Sequence, residues 1–315
     1  MKLRSKAKIR LPKTLLLLLI LTLALSPIVL LSYCGAPAAQ TDEAAMSSQP
    51  PYASENFRTD GERISYWENG LLASQAGVDV SAHQEQIDWS AVAADGIDFA
   101  IIRVGYRGST EGNIQIDDYF MSNQAGAHKA GLPIGVYFFS QATTPDEAQE
   151  EAEFTLAQLN KAGLSPADLA FPIVYDSERV YLNDNSGGKN GSGSTLGNKI
   201  MDFLGGGNST DPDGDLANGG RTAGLSTSEM TENALAFCNT IEKAGYKAAI
   251  YGNMRDLWRY NIDQLSNYEL WFAQYGVQYP SVYWQYRLWQ YTSSGKVDGI
   301  SSKVDLNIYM LNAPK

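Results

Sequence analysis

Between Gly77 and Met310 the chain alternates short, almost continuously apolar runs with stretches of helical periodicity. The runs are Gly77–Val80, Phe99–Val104, Pro133–Phe139, Phe171–Tyr175, Ala248–Tyr251, Leu270–Tyr275, Tyr286–Tyr291 and Asp305–Met310. Segments this short and this apolar fit strands covered on both faces. Thr144-Pro145-Asp146-Glu147 supplies an N-cap, a proline in the first turn and a capping acid, and Ala148, Ala152, Leu156 and Leu159 follow on one stripe. Ser226-Thr227-Ser228-Glu229 opens a second helix in the same way, and Gly163 and Gly245 stand where the two helices should stop. Eight strands with helices between the first five or six predict an α/β fold, a TIM-like (β/α) barrel. The tighter strand spacing near the C-terminus makes the ring irregular. A doubly wound open sheet is the alternative, weakened because no G-x-G-x-x-G follows any strand.

Composition narrows the classes. With 44% hydrophobic and 19% charged residues among 315, the chain is neither disordered nor fibrous. Two cysteines, Cys34 and Cys238, exclude a disulfide-dense scaffold, and Cys238 lies in a helical apolar pattern that predicts a buried free thiol. Residues 1–34 carry six Lys/Arg and no acid ahead of the apolar run Leu15–Leu31, which predicts a secretion signal or an N-terminal membrane anchor. Leu31-Ser32-Tyr33-Cys34 has the outline of a lipidation box, with Tyr33 too bulky for its place, and Ala36-Pro37-Ala38 offers an alternative cleavage site. Residues 35–74 read as a linker whose later apolar residues, Ile64, Tyr66, Trp67, Leu71 and Leu72, can pack on the domain that occupies 75–315. Beyond the leader the chain carries 18 bases against 35 acids, a net −17 that excludes nucleic acid as a partner.

The strand ends carry acids. Asp79 lies in the first strand, and Asp176 and Glu178 close the fourth. Residues two apart share one face of a strand, so the pair points the same way. Two neighbouring carboxylates at an apolar strand end perturb each other's protonation and suit acid-assisted cleavage of a glycosidic bond. A strand-end ion pair is the plain alternative. The ring-bearing residues Tyr106, Tyr137, Tyr175, Trp271, Tyr275, Trp289 and Tyr291 lie in or near the strands, as a sugar-stacking site would require or as core packing would, and Gln290 and Arg103 are further candidates for substrate contact.

Gly77-Val78-Asp79-Val80-Ser81, Gln86-Ile87-Asp88-Trp89, Ile173-Val174-Tyr175-Asp176-Ser177-Glu178 and the stretch from Leu288-Trp289-Gln290-Tyr291 to Val304-Asp305-Leu306-Asn307 together resemble family-25 glycoside hydrolases, the N-acetylmuramidase lysozymes. The resemblance covers about residues 75–312. It implies a barrel of eight strands with about five helices and cleavage of the β-1,4 bond between N-acetylmuramic acid and N-acetylglucosamine, with no cofactor and no metal. It assigns Glu178 as general acid and Asp176 as the group that orients the sugar or stabilises its developing charge. Asp79 and Asp305 match the family's other two active-site acids, and Tyr137 matches an aromatic of its third strand. The implied partner is the peptidoglycan glycan strand, met by a monomer outside the cell or at its surface, with the membrane engaged through an uncleaved or lipidated leader. A non-catalytic glycan-binding module and a hydrolase of another N-acetylated glycan such as chitin remain as alternatives.

Three departures stand out. Glu85 follows His83-Gln84 where the family usually has glycine, and Asp298 replaces a common proline. The two histidines, His83 and His128, are too few and too far apart in sequence for a zinc site. Between Glu178 and the helix at Ser226 lies an insertion, 183–220, with 11 of the 29 glycines, expected to be a disordered loop or a lid. Its Asp211-Pro212-Asp213-Gly214-Asp215 run lacks the glycine and final acid of a calcium loop, having Leu216 and Thr222 there.

Overall fold

The computed structural model describes residues 50–180 and 220–312. The leader, Cys34, the first part of the linker and the body of the insertion lie outside them. Twelve strands are present among the described residues: β1 Phe57–Asp60, β2 Arg63–Glu68, β3 Leu71–Leu72, β4 Ser74–Val80, β5 Phe99–Arg107, β6 Ile114–Ile116, β7 Ile134–Phe139, β8 Ile173–Asp176, β9 Ala248–Asn253, β10 Glu269–Ala273, β11 Leu288–Gly295 and β12 Val304–Met310. All eight predicted strands exist, and they close a ring. Strands β4, β5 and β7 to β12 pair in sequence order, and β12 pairs back to β4. Every pairing from β4 round to β11 is parallel, whereas β12 runs antiparallel to both neighbours. The regular βα alternation ends there, which is the physical form of the irregularity read from the spacing.

Helices α1 Trp89–Ala94, α2 Phe120–Lys129, α3 Pro145–Ala162, α4 Thr227–Lys243 and α5 Met254–Leu257 fill the connections from β4 to β10. Ser226 and Glu229 form the reciprocal capping box at α4. At α3 the Thr144 side chain accepts from the Glu147 N–H, but the Glu147 carboxylate turns instead to the Thr143 N–H and hydroxyl and to Arg221. Gly163 ends α3 at φ +73°, a left-handed conformation that an L side chain resists. Ala152 and Leu159 of α3 and Phe237, Cys238 and Ile241 of α4 are fully buried against the outer face of the sheet. Cys238 is a buried free thiol there, and burial pushes it well above the usual thiol range.

The inner face holds a separate cluster that includes Phe99, Ile101, Tyr137, Val174, Tyr251 and Trp271. Gly77 makes room for it: a Cβ there would lie 2.2 Å from Cζ of Phe99. The lumen is thus filled by side chains, and any site must form at a rim.

Residues 50–74 depart from the expected linker. Strands β1, β2 and β3 form an antiparallel sheet that packs on the barrel beside β11 and β12, where no helix of the described residues covers the ring. Tyr52 and Tyr66 are buried, the Phe57 ring lies 5.6 Å from Trp289, and the Tyr52 hydroxyl donates to the Tyr286 carbonyl at 2.9 Å. Without this cover Trp289 and Tyr291 would be open to water, so the segment is part of the folded unit.

Candidate active site

The C-terminal ends of the parallel strands meet at one rim, and the antiparallel β12 brings its N-terminal end there. Asp79 stands one residue before the end of β4, and Asp305, second in β12, lies directly opposite it in register. Asp176 is the last residue of β8, and Glu178 follows two residues later. The Tyr251 hydroxyl of β9 lies near three of these four acids. Burial raises it well above the usual phenol range, and the neighbouring Tyr275 and the carboxylates of Glu178, Asp176 and Asp79 add to the effect. Tyr251 therefore stays protonated and acts as a donor.

The floor is a directed hydrogen-bond network. The Asp79 carboxylate Oδ2 accepts from Nε2 of Gln290 at 2.7 Å and from Nδ2 of Asn307 at 2.8 Å. The Gln290 carbonyl oxygen accepts from the hydroxyls of Tyr251 and Tyr275, and the Asn307 carbonyl oxygen accepts from Nε1 of Trp271 at 2.8 Å. Each amide is oriented by its far donors so that its NH2 faces the acid. Gln290 and Asn307 are almost fully buried, so charge-assisted bonds of this kind are strong and costly to lose.

Arg103 forms the wall beside β4. Its guanidinium meets Asp117 at 2.8 Å and lies 5.3 Å from the Tyr106 ring centroid. Burial acts to lower its pKa, but Tyr137 and Asp117 outweigh that and raise it. Asp117 also accepts from the backbone N–H of Ala82 at 2.9 Å, which ties the wall to the loop after β4. A bulge in β5 between Arg103 and Gly105 resets the alternation. Gly105 faces the helix layer, where an added Cβ would approach Phe154 of α3 at 3.0 Å, and so Tyr106 shares the inner face with Arg103.

The other sequence candidates sort by depth. Tyr137, Trp271 and Gln290 are buried in the floor, while Arg103, Tyr106 and Tyr275 are half-buried at the mouth. Tyr175 is not in the site. It precedes Asp176 by one residue, points outward, is fully buried and packs on Phe237 of α4 at 5.1 Å. Trp289 and Tyr291 likewise face outward, under the N-terminal sheet. Sequence reasoning passed over Tyr251, Asn307 and Asp117 as site residues. Asn307 was within reach, since it lies two residues after Asp305 on the same strand face.

Glu85 sits in the rim loop after β4 at φ +52°, ψ −133°, a conformation glycine adopts without cost. A glycine would be at ease at this position, and Glu85 carries the strain instead.

Comparison with known proteins identifies the family. The sequence model described as "Glycosyl hydrolases family 25" matches residues 78–300. The chain belongs to glycosyl hydrolase family 25. Lysozyme M1 of Streptomyces globisporus is 28% identical over 246 residues, covering 73% of this chain and 66% of that protein. The autolytic lysozyme of Clostridium acetobutylicum is 23% identical over 231 residues, covering 73% and 54% respectively. The chain therefore spans between about half and just under two thirds of these relatives' length. Among solved structures, the modular autolysin LytC of Streptococcus pneumoniae superposes with TM-score 0.56 at 21% identity, covering 81% of this chain and 52% of that one. The spore cortex lytic enzyme SleM of Clostridium perfringens gives 0.55 at 21% identity, covering 76% and 68%. At such identities the structural likeness concerns the fold. The family-25 match begins next to Asp79 and stops before β12, so it contains neither the N-terminal sheet nor Asp305.

Proposed function

We propose that this family-25 member is an exported peptidoglycan hydrolase that cleaves the β-1,4 bond between N-acetylmuramic acid and N-acetylglucosamine. The observation that carries the reading is the convergence of Asp79, Asp176, Glu178 and Asp305 on one rim of the barrel above a floor of fixed amide and hydroxyl donors. Glu178 lies two residues beyond the end of β8, near enough for its carboxylate to act on the Tyr251 hydroxyl, and it protonates the leaving oxygen. Asp176 orients the substrate's 2-acetamido group or stabilises the positive charge developing at the sugar ring. Asp79, held by Gln290 and Asn307, is a fixed negative charge beneath that ring, and Asp305 faces it across the β4–β12 pair. Tyr106, Tyr275 and Arg103 line the mouth for contact with the glycan, with Tyr137 at the edge of the floor. The lysozyme names of the relatives support the substrate class, as does the structure of LytC with a synthetic peptidoglycan ligand, and the basic apolar leader supports export.

The test is release of reducing ends from purified peptidoglycan, with products identified by mass spectrometry. Wild type should yield muropeptides ending in reducing N-acetylmuramic acid. Glu178→Gln should lose about a hundred- to ten-thousandfold while remaining folded, because it removes the proton donor. Undiminished turnover in that variant would refute the assignment of the acid. Products from chitin and none from peptidoglycan would refute the substrate.

A further inference from the structure

The backbone ladder of the barrel stops short of the proposed acid. Strand β8 pairs with β7 up to Phe139↔Asp176 and with β9 up to Asp176↔Tyr251. Glu178 lies two residues beyond this last rung, just before the chain departs into residues 181–219. A general acid there needs another restraint, since misplacement by about 1 Å can cost a hundredfold in rate.

Two buried side chains supply one. Nε2 of Gln141 donates to the Glu178 carbonyl oxygen at 3.1 Å, and Oδ1 of Asp256 accepts from the Arg179 N–H at 3.1 Å. That carbonyl and that N–H belong to the same peptide group. In a planar trans peptide they point in opposite directions, so the two contacts grip one plane from both sides. Gln141 is fully buried and Asp256 is 3% exposed. Each is itself anchored to a strand that flanks β8. Gln141 follows β7 by two residues, and the neighbouring Ser140 N–H donates to the Asp176 carbonyl at 2.7 Å. Asp256 accepts at Oδ2 from Nδ2 of Asn253, the last residue of β9, at 2.6 Å. The Gln141 backbone carbonyl in turn accepts from Arg221 at 2.9 Å, and Gly220 N–H donates to the Val180 carbonyl at 2.7 Å, so the stem of the insertion closes outside the grip.

We propose that Gln141 and Asp256 are positioning residues for the general acid: they replace the missing rungs on either side of β8 and fix the Glu178 backbone relative to Asp176 and Tyr251. The assignment rests on the reading of Glu178 as the acid. Neither residue touches substrate. Their effect therefore falls on the chemical step rather than on binding, and it is carried by hydrogen-bonding capacity rather than by the Asp256 charge.

The experiment compares Gln141→Leu, Asp256→Ala and Asp256→Asn with Glu178→Gln in the full chain, on soluble peptidoglycan fragments across pH, with thermal melting alongside. Gln141→Leu and Asp256→Ala should lower kcat about ten- to a hundredfold with KM changed less than about threefold, and should shift the basic limb of the kcat profile that reports the acid. Asp256→Asn keeps an acceptor for the Arg179 N–H but turns an NH2 toward Nδ2 of Asn253, so it should fold and recover most of kcat, to within about tenfold of wild type and above Asp256→Ala. Wild-type kcat and pH profile in Gln141→Leu and Asp256→Ala, beside an inactive Glu178→Gln, would overturn the positioning role alone. So would an Asp256→Asn that folds yet is as slow as Asp256→Ala. An active Glu178→Gln would overturn the reading beneath it instead.

Discussion

Asn307→Leu isolates the network beneath Asp79. Leucine has the branching and heavy-atom count of asparagine but is larger, so the change opens no cavity, removes two hydrogen bonds and adds some overpacking at a fully buried position. The Asp79 carboxylate loses one donor, now at 2.8 Å, and a bond to a charged group contributes about 1.5–3 kcal/mol. The Trp271 indole N–H loses its acceptor at 2.8 Å and, being buried, is left unsatisfied at a further cost of about 1–3 kcal/mol. Together these predict a destabilisation of about 2.5–6 kcal/mol, larger than most point changes. Urea unfolding followed by tryptophan fluorescence measures it, and the change should appear in the midpoint with the slope unaltered. Adding Trp271→Phe removes the stranded N–H, so the double variant should fall short of the sum of the singles by about 1 kcal/mol or more. A loss below about 1 kcal/mol for Asn307→Leu, or strict additivity with Trp271→Phe, would mean that these bonds do not hold the floor together.

Two further outcomes follow from α3 and from the loop after β4. Burial acts to raise the Glu147 pKa, but the Arg221 guanidinium and the Thr143 donors outweigh it and bring it from 4.5 down to about 2, whereas burial lifts Glu151 from 4.5 to about 7 against the pull of Ser140 and Arg107. Between pH 2 and 4.5 the unfolded chain binds the extra proton at Glu147, so that contribution to stability grows as pH rises. Between pH 4.5 and 7 the folded chain holds the extra proton at Glu151, so that contribution falls by up to about 1.4 kcal/mol per pH unit. Glu151→Gln should flatten the fall between pH 5 and 7 in denaturant titrations, and an unchanged slope there would exclude the buried proton. Glu85→Gly should stabilise the chain by about 1 kcal/mol, since relief of about 1–3 kcal/mol of backbone strain exceeds the entropy of the added glycine. A lowered melting temperature would refute that strain.

The barrel strands were legible in the sequence because burial on both faces leaves a local mark, a short run with almost no polar residue. All eight runs and the caps at Thr144 and Ser226 depend on neighbours a few residues apart. What depends on neighbours across the ring was not legible. Tyr175 reads like any strand aromatic until Asp176 is known to point inward, which turns Tyr175 out onto Phe237. The β5 bulge makes Arg103 and Tyr106 share a face against simple alternation, and nothing local announces it. Residues 50–74 read as the end of a linker because small and polar residues with scattered charge precede and separate their apolar ones. They become a sheet because, among the described residues, β11 and β12 carry no helix and their outer face is covered by these strands instead. The sequence by itself determined a ring of strands and the type of acid at its rim. The tertiary structure decided that β12 reverses, which sets Asp305 opposite Asp79, and that Gln141 and Asp256, 115 positions apart, close on one peptide group. Periodicity is written in adjacent residues, whereas contacts across a closed barrel exist only once the ring has closed.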